Sequence, residues 1–219
     1  MSAGNGFSDL AALMYKNDVD EDNLRQVLSS RYTESDLTNY LQNEDILVAR
    51  AAATALGLIG SMNIVPVLVK NLKNNDYRAI INSETSLWNI WSRSGNDDVD
   101  KMLNAGKKQI ENEKFTEAIE QFSSVIEAAP NFAEGYNQRA IACFVIGEWE
   151  KAIEDCKQTV KLNPYHFGAY AGMGHAYLRL GEIEEAIDAY KQALTINPNL
   201  VSIAKVVIQL RRVLEQEEE

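Results

Sequence analysis

Two stretches of the chain repeat the same pattern: residues 147–164 read GEWEKAIEDCKQTVKLNP, and residues 181–198 read GEIEEAIDAYKQALTINP. Each begins with glycine and ends with Asn-Pro, and the second starts 34 residues after the first. Working outward, Pro130 lies another 34 residues before Pro164. A fixed period of this size is typical of proteins built from one repeated helical unit. We therefore divide this part of the chain into units 99–132, 133–166 and 167–200.

Each unit is predicted to form two antiparallel helices joined by a tight turn. Small residues recur where the helices of a unit must cross closely, and larger residues recur around them. The proline near the end of each unit stops the second helix, because its ring cannot sit in a helix interior. The small residues are Gly106, Ala140 and Gly174 on the first helices and Ala118, Ala152 and Ala186 on the second helices.

This pattern resembles the tetratricopeptide repeat over residues 99–200. It departs from the family at Arg139, where leucine is usual, and at Cys143 and Cys156, where aromatic residues are favoured. The resemblance implies an all-α fold, an α-solenoid of stacked antiparallel helix pairs. We assign three tetratricopeptide repeats to residues 97–200, and a capping helix with an acidic tail to residues 201–219.

The first half of the chain contains a weaker repeat, in which residues shifted by 31 positions match. Asp45 falls on Asp76 and Leu56 on Leu87, and both aspartates are good N-caps for a following helix. The first copy resembles a short HEAT-type repeat, whereas the second has Ile81 in place of Arg50. We predict a HEAT-like helical segment over residues 8–96 that continues into the repeats, and a disordered N-terminus over residues 1–7.

Composition excludes several classes of protein. The net charge is −11 without a basic run, which argues against a nucleic-acid partner. Residues 51–69 are uncharged and long enough to span a bilayer. However, Gly60 and Ser61 interrupt them and Pro66 follows, so two short helices, the second capped by Asn63, fit better than a membrane span. With no signal-like N-terminus, we expect a cytoplasmic protein.

No catalytic constellation is recognisable, and we expect no cofactor, no metal site and no enzymatic activity. Only two histidines and two cysteines occur. We interpret Cys143 and Cys156 as buried, reduced thiols of one helix pair, with a redox or metal pair as the alternative. Some HEAT-repeat proteins attach bilin pigments, so a pigment-lyase-like enzyme stays open, although no residue here predicts it.

The resemblance implies that the first helices of the units line a concave groove that binds a partner protein or peptide. One subset of the family clamps the acidic tails of heat-shock chaperones. This chain lacks that subset's two basic residues in the third unit, where Gly168 and Gly172 stand, which argues against such a clamp. The groove candidates are Lys107, Asn137, Gln138, Ile141, Phe144, Val145, Gly168, Ala171, Gly172, His175, Leu178, Arg179 and Lys205.

We expect this groove to accept a segment with apolar anchors and an acid, with Asn137 and Gln138 bonding its backbone. The function predicted from these patterns is a protein-interaction or assembly adaptor. One alternative is a regulatory or accessory subunit of an enzyme complex. A second possibility for the groove is that the capping helix partly fills it and its residues are ordinary surface. Self-association stays open, since solenoid ends can stack.

Overall fold

The computed structural model describes residues 4–15 and 20–217, and every regular element in these ranges is helical. The chain divides into two compact units, 1–91 and 92–219. The predicted all-α fold is confirmed. In the described ranges, no helix is long and apolar enough for a membrane crossing. The predicted disorder of residues 1–7 conflicts with the structure at residues 4–7, which begin a helix, and residues 1–3 lie outside the described part.

The N-terminal unit packs its helices around the apolar helix α4. Val48, Leu56 and the intervening alanines of α4 are buried, and α4 contacts α1, α2, α3 and α6. The small side chains explain how one helix can accept so many neighbours at close range. The helices are α1 (Gly4–Met14), α2 (Glu21–Arg31), α3 (Glu34–Tyr40), α4 (Ile46–Ile59), a 3₁₀ helix (Met62–Ile64), α5 (Val65–Asn71) and α6 (Tyr77–Trp91).

The predicted caps at Asp45 and Asp76 are confirmed, and their loops share one hydrogen bond from the aspartate backbone to an asparagine. Asp45 accepts a hydrogen bond from the backbone N–H of Leu47 at 2.9 Å, and Asp76 accepts one from that of Ala79 at 2.8 Å. In both loops, an asparagine two residues earlier accepts from the backbone N–H of the aspartate. The internal repeat therefore has a structural counterpart, and the HEAT-like assignment stays a prediction.

The cap before α5 differs from the prediction, and an ion pair that the sequence did not indicate joins α4 to α6. Ser61, rather than Asn63, accepts the capping hydrogen bond, because the chain forms a 3₁₀ turn before α5 begins. Arg50 donates two hydrogen bonds to the Asp76 carboxylate, at 2.8 and 2.6 Å, and so ties α4 to the start of α6. This ion pair holds the pKa of Asp76 down at about 2.

The C-terminal unit is a stack of helix pairs in which each helix contacts the next. This arrangement confirms the solenoid of stacked pairs for this unit. The long terminal helix packs through Ile203 and Val207 on the pair before it, as expected of a capping helix. The helices are α7 (Asp97–Glu111), α8 (Phe115–Ala128), α9 (Ala133–Val145), α10 (Trp149–Leu162), α11 (Phe167–Leu180), α12 (Ile183–Ile196) and α13 (Val201–Glu217).

The turn inside each helix pair is the same in all three units. The residue at the turn has a left-handed backbone, with φ of 60° at Glu113, 85° at Gly147 and 81° at Gly181. In each turn, the next backbone N–H bonds the carbonyl five residues earlier, at 2.9 to 3.0 Å. Only Glu113 is not glycine, so the first turn carries a backbone strain of roughly 1 kcal/mol that the other two avoid.

The predicted close crossings of the helices are confirmed at two glycines. A Cβ atom at Gly106 would overlap the ring of Phe122, and one at Gly174 would lie 2.5 Å from the ring of Tyr190. Both rings are fully buried. The first helix of each of these units therefore needs glycine so that the large residue of its second helix can fill the crossing.

Candidate functional site

The first helices of the three units form one layer, because α9 contacts both α7 and α11. Most of the groove candidates predicted from the sequence lie on these three helices. The structure separates them into three environments: a buried polar cluster between α7 and α9, an exposed apolar strip between α9 and α11, and a region of α11 that faces α12 and α13.

The polar cluster is centred on Glu134, in the first turn of α9, whose side chain is 1% exposed. Gln138 Nε2 donates to Glu134 Oε1 at 2.7 Å, and Asn137 Nδ2 donates to Oε2 at 3.2 Å. Lys107 Nζ, on α7, lies 3.9 Å from Oε1 and donates to Ser92 Oγ at 3.1 Å. Glu134, which gathers this cluster, is not one of the groove candidates predicted from the sequence.

His166 completes the cluster and is fully buried. The backbone N–H of Ala169 donates to His166 Nδ1 at 3.0 Å, so this nitrogen carries no proton in the neutral ring. The proton therefore lies on Nε2, which donates to Glu134 Oε2 at 3.1 Å. One imidazole thus caps the start of α11 and links it to α9.

This cluster changes the role expected of three groove candidates. Asn137 and Gln138 were expected to bond a partner's backbone, but both amide nitrogens point at Glu134. Asn137 is buried, while Gln138 and Lys107 are half-buried. The structure therefore brings these predicted residues together, around an internal carboxylate.

The apolar strip lies on α9 and continues to α11. Ile141 is 42% exposed and Val145 is 50% exposed, and with half-buried Phe144 they occupy one side of the helix at spacings of three and four residues. Arg179 of α11 is exposed and places its guanidinium 6.0 Å from the centre of the Phe144 ring. We call Ile141, Phe144, Val145 and Arg179 the apolar face.

His175 lies between this face and the core of the last helix pair. Its ring centre is 6.5 Å from that of Phe144, and its Nδ1 is 2.7 Å from the hydroxyl of Tyr190. Desolvation lowers the pKa of His175, and burial raises the pKa of Tyr190 to about 12. At neutral pH the phenol therefore keeps its proton and can donate it to the neutral imidazole.

Two of the remaining candidates, Ala171 and Leu178, face the end of the stack. Ala171 and Leu178 pack against the apolar cluster that α12 and α13 form, so the capping helix covers this part of α11. Gly168 and Gly172 are half-buried, and Lys205 is exposed on α13. The second possibility raised from the sequence, a groove partly filled by the capping helix, therefore applies to Ala171 and Leu178.

The two cysteines are free and buried, and only 2% of Cys143 and 3% of Cys156 is exposed. Burial raises the pKa of Cys143 to about 11 and that of Cys156 to about 12, so both stay protonated at neutral pH. This agrees with the interpretation as apolar core residues. Within the described ranges, no group of three or more His, Cys, Asp or Glu side chains could hold a metal ion.

The comparison with protein families identifies the repeat. The tetratricopeptide-repeat model matches residues 133–166 and 168–200, which agree with our second and third units. The chain carries tetratricopeptide repeats. No match was found among curated protein sequences.

Several solved structures match about half of the chain. The first tetratricopeptide domain of Spaghetti (RPAP3), bound to an HSP90 peptide, is 26% identical with a TM-score of 0.52, and the match covers 53% of this chain and 93% of that one. MamA is 26% identical with a TM-score of 0.52, over 53% and 68% of the two chains. The Sgt2 domain from Aspergillus fumigatus, at 21% identity and a TM-score of 0.53 over 56% and 83%, shares the fold.

Proposed function

We propose that this protein is a non-enzymatic interaction or assembly adaptor whose apolar face binds a partner segment. The observation that carries this proposal is the exposure of Ile141 and Val145, at 42% and 50%, beside the ring of Phe144 and the cation of Arg179. Covering two half-exposed aliphatic side chains yields roughly 1 kcal/mol each, which makes them suitable anchors for a partner. The tetratricopeptide domain of Spaghetti, which binds an HSP90 peptide, supports a peptide as ligand.

The chemistry of the face defines the kind of partner. An apolar strip with a spacing of three and four residues suits a helix or an extended segment with apolar anchors. Arg179 and Lys205 are exposed cations on α11 and α13, on a protein that is acidic overall. The proposed ligand is therefore a protein segment that carries apolar side chains and an acid. It is not the acidic chaperone tail that one subset of the family clamps.

Affinity capture with mass spectrometry tests this proposal with two variants of the full chain. Phe144→Glu places a charge in the strip, and Arg179→Glu with Lys205→Glu reverses the cations. The matched control is Lys151→Glu with Lys161→Glu, which makes the same change in net charge at exposed positions of α10.

We expect the same partners to disappear from both face variants and to remain with the control. Circular dichroism of each variant checks that the helices are intact. Equal capture by the wild type, the face variants and the control would overturn the proposal.

A further inference from the structure

We propose that Glu134 is the built-in occupant of a carboxylate-binding pocket, and that it excludes a partner's acidic group from the α7–α9 end of the layer. The consequence for partner choice rests on the proposed function, whereas the pocket itself does not. The pocket is the set of donors around Glu134: Lys107, Asn137, Gln138 and His166.

The donors come from three separate segments of the chain. Lys107 lies on α7, Asn137 and Gln138 lie on α9, and His166 lies in the loop before α11. Their nitrogens approach both oxygens of the carboxylate, at 2.7 and 3.9 Å for Oε1 and at 3.1 and 3.2 Å for Oε2. This is the arrangement of a site for a carboxylate, with three hydrogen-bond donors and one cation.

Contacts other than Glu134 also hold two of the donors in place. Ala169 N–H fixes the ring of His166 and its tautomer, and Ser92 Oγ accepts from Lys107. These donors therefore keep their direction when the carboxylate of Glu134 is removed. A buried donor without an acceptor is costly, so the empty pocket would favour any small carboxylate that can enter.

Glu134 also explains where the acid of a partner can lie. A second carboxylate brought to Lys107 and Gln138 would lie beside the carboxylate of Glu134, whose Oε1 is 3.9 Å from Lys107 Nζ and 2.7 Å from Gln138 Nε2. Like charges this close repel strongly. Arg179 is exposed beside the strip, and among the residues that the structure describes no carboxylate forms an ion pair with it. The acid of a partner therefore docks at the α11 end, and Glu134 fixes the direction in which the segment binds.

The test uses Glu134→Ala in the full chain, because this substitution removes the atoms of an acetate ion. We compare thermal unfolding of the variant in sodium acetate and in sodium chloride at equal ionic strength and neutral pH. Acetate at about ten times its Kd should raise the melting temperature of the variant by roughly 3 °C over chloride. It should leave the wild type unchanged, because its pocket is filled.

Two further variants make the result specific. Glu150→Ala removes the equivalent acid from the first turn of α10, where it is exposed, and should show no acetate effect. Adding Lys107→Met to Glu134→Ala should abolish the effect, because the cation of the pocket is lost. If Glu134→Ala does not fold in chloride, the recovery of helical signal in acetate replaces the melting temperature.

An equal melting temperature of Glu134→Ala in acetate and in chloride, or an equal helical signal if it does not fold in chloride, would overturn the proposed pocket. That outcome would leave the proposed function standing, because the assay contains no partner. Conversely, equal capture of partners by the face variants would overturn the proposed function and leave the pocket intact.

Discussion

The substitution Gly174→Ala tests the close helix crossing on which the last repeat depends. A Cβ atom at this position would lie 2.5, 2.6 and 2.9 Å from three carbons of the Tyr190 ring. The nearest of these is about 1 Å shorter than the separation at which carbon atoms attract each other. The ring is fully buried and its hydroxyl contacts His175 Nδ1 at 2.7 Å, so it has little room to move.

Two effects oppose each other in this variant, and their magnitudes decide the sign. Alanine in a helix interior is favoured over glycine by about 1 kcal/mol, whereas overpacking a core costs up to about 3 kcal/mol. Because three ring carbons are overlapped, we expect the larger cost and a net loss of about 2 kcal/mol. That loss corresponds to a melting temperature lower by about 4–8 °C in a chain of this size.

Gly172→Ala, two residues away on the same helix, is the matched control. Its Cβ atom would meet only the sulfur of Cys156, at an ordinary contact distance of 3.5 Å. We expect this variant to gain about 0.5–1 kcal/mol from helix propensity and to melt about 2–3 °C higher than the wild type. Thermal unfolding followed by circular dichroism measures both variants, and opposite shifts are expected. Equal stabilisation of the two variants would refute the crossing argument.

Two ion pairs provide further tests. Arg139→Leu restores the side chain usual in the family but leaves Asp155, which is 7% exposed, without its cation. We expect the free energy of unfolding, measured in urea, to fall by roughly 3 kcal/mol, and adding Asp155→Asn to recover part of this loss. An unchanged stability of Arg139→Leu would contradict the role of the ion pair. Asp76 has a pKa of about 2, below its unfolded value of about 3.9, so its ion pair stabilises the fold above about pH 4 and is lost as the pH falls toward 2. In Arg50→Gln, the melting temperature should therefore fall less steeply than in the wild type as the pH is lowered from about 4 toward 2. The same fall in the wild type and the variant would contradict a stabilising role of the ion pair.

The period of the prolines predicted the helix pairs because a steric rule acts locally. Proline ends a helix wherever it stands, and glycine or alanine at a crossing permits close approach, so both effects leave a fixed spacing in the sequence. The caps at Asp45 and Asp76 are local in the same sense, since each aspartate bonds a backbone N–H two or three residues later. Such features can be predicted from a single sequence because donor and acceptor are neighbours in the chain.

The polar clusters could not be predicted in this way, because their partners are distant in sequence. Glu134 and His166 are 32 residues apart, so no rule that acts between neighbours in the chain joins them. Arg139 was recognised only as a departure from the family pattern, whereas in the structure it bonds Asp155 twice and Ser123 once. A signal was present: an acid near the start of α9 and a histidine one repeat later occupy equivalent ends of neighbouring first helices.

The two polar clusters meet on one helix, and this bears on how the apolar face is presented. On α9, Glu134 bonds the loop before α11, while Arg139 bonds side chains of α8 and α10. A helix held only by alanine and cysteine contacts can slide or rotate at little cost, whereas buried ion pairs and directed hydrogen bonds are satisfied in one arrangement only. We therefore interpret the two clusters as fixing the rotation of α9 about its axis. Ile141 and Val145, which lie on the same helix, are then held at the surface in one orientation, and a partner that binds them meets a preorganised strip rather than one it must order.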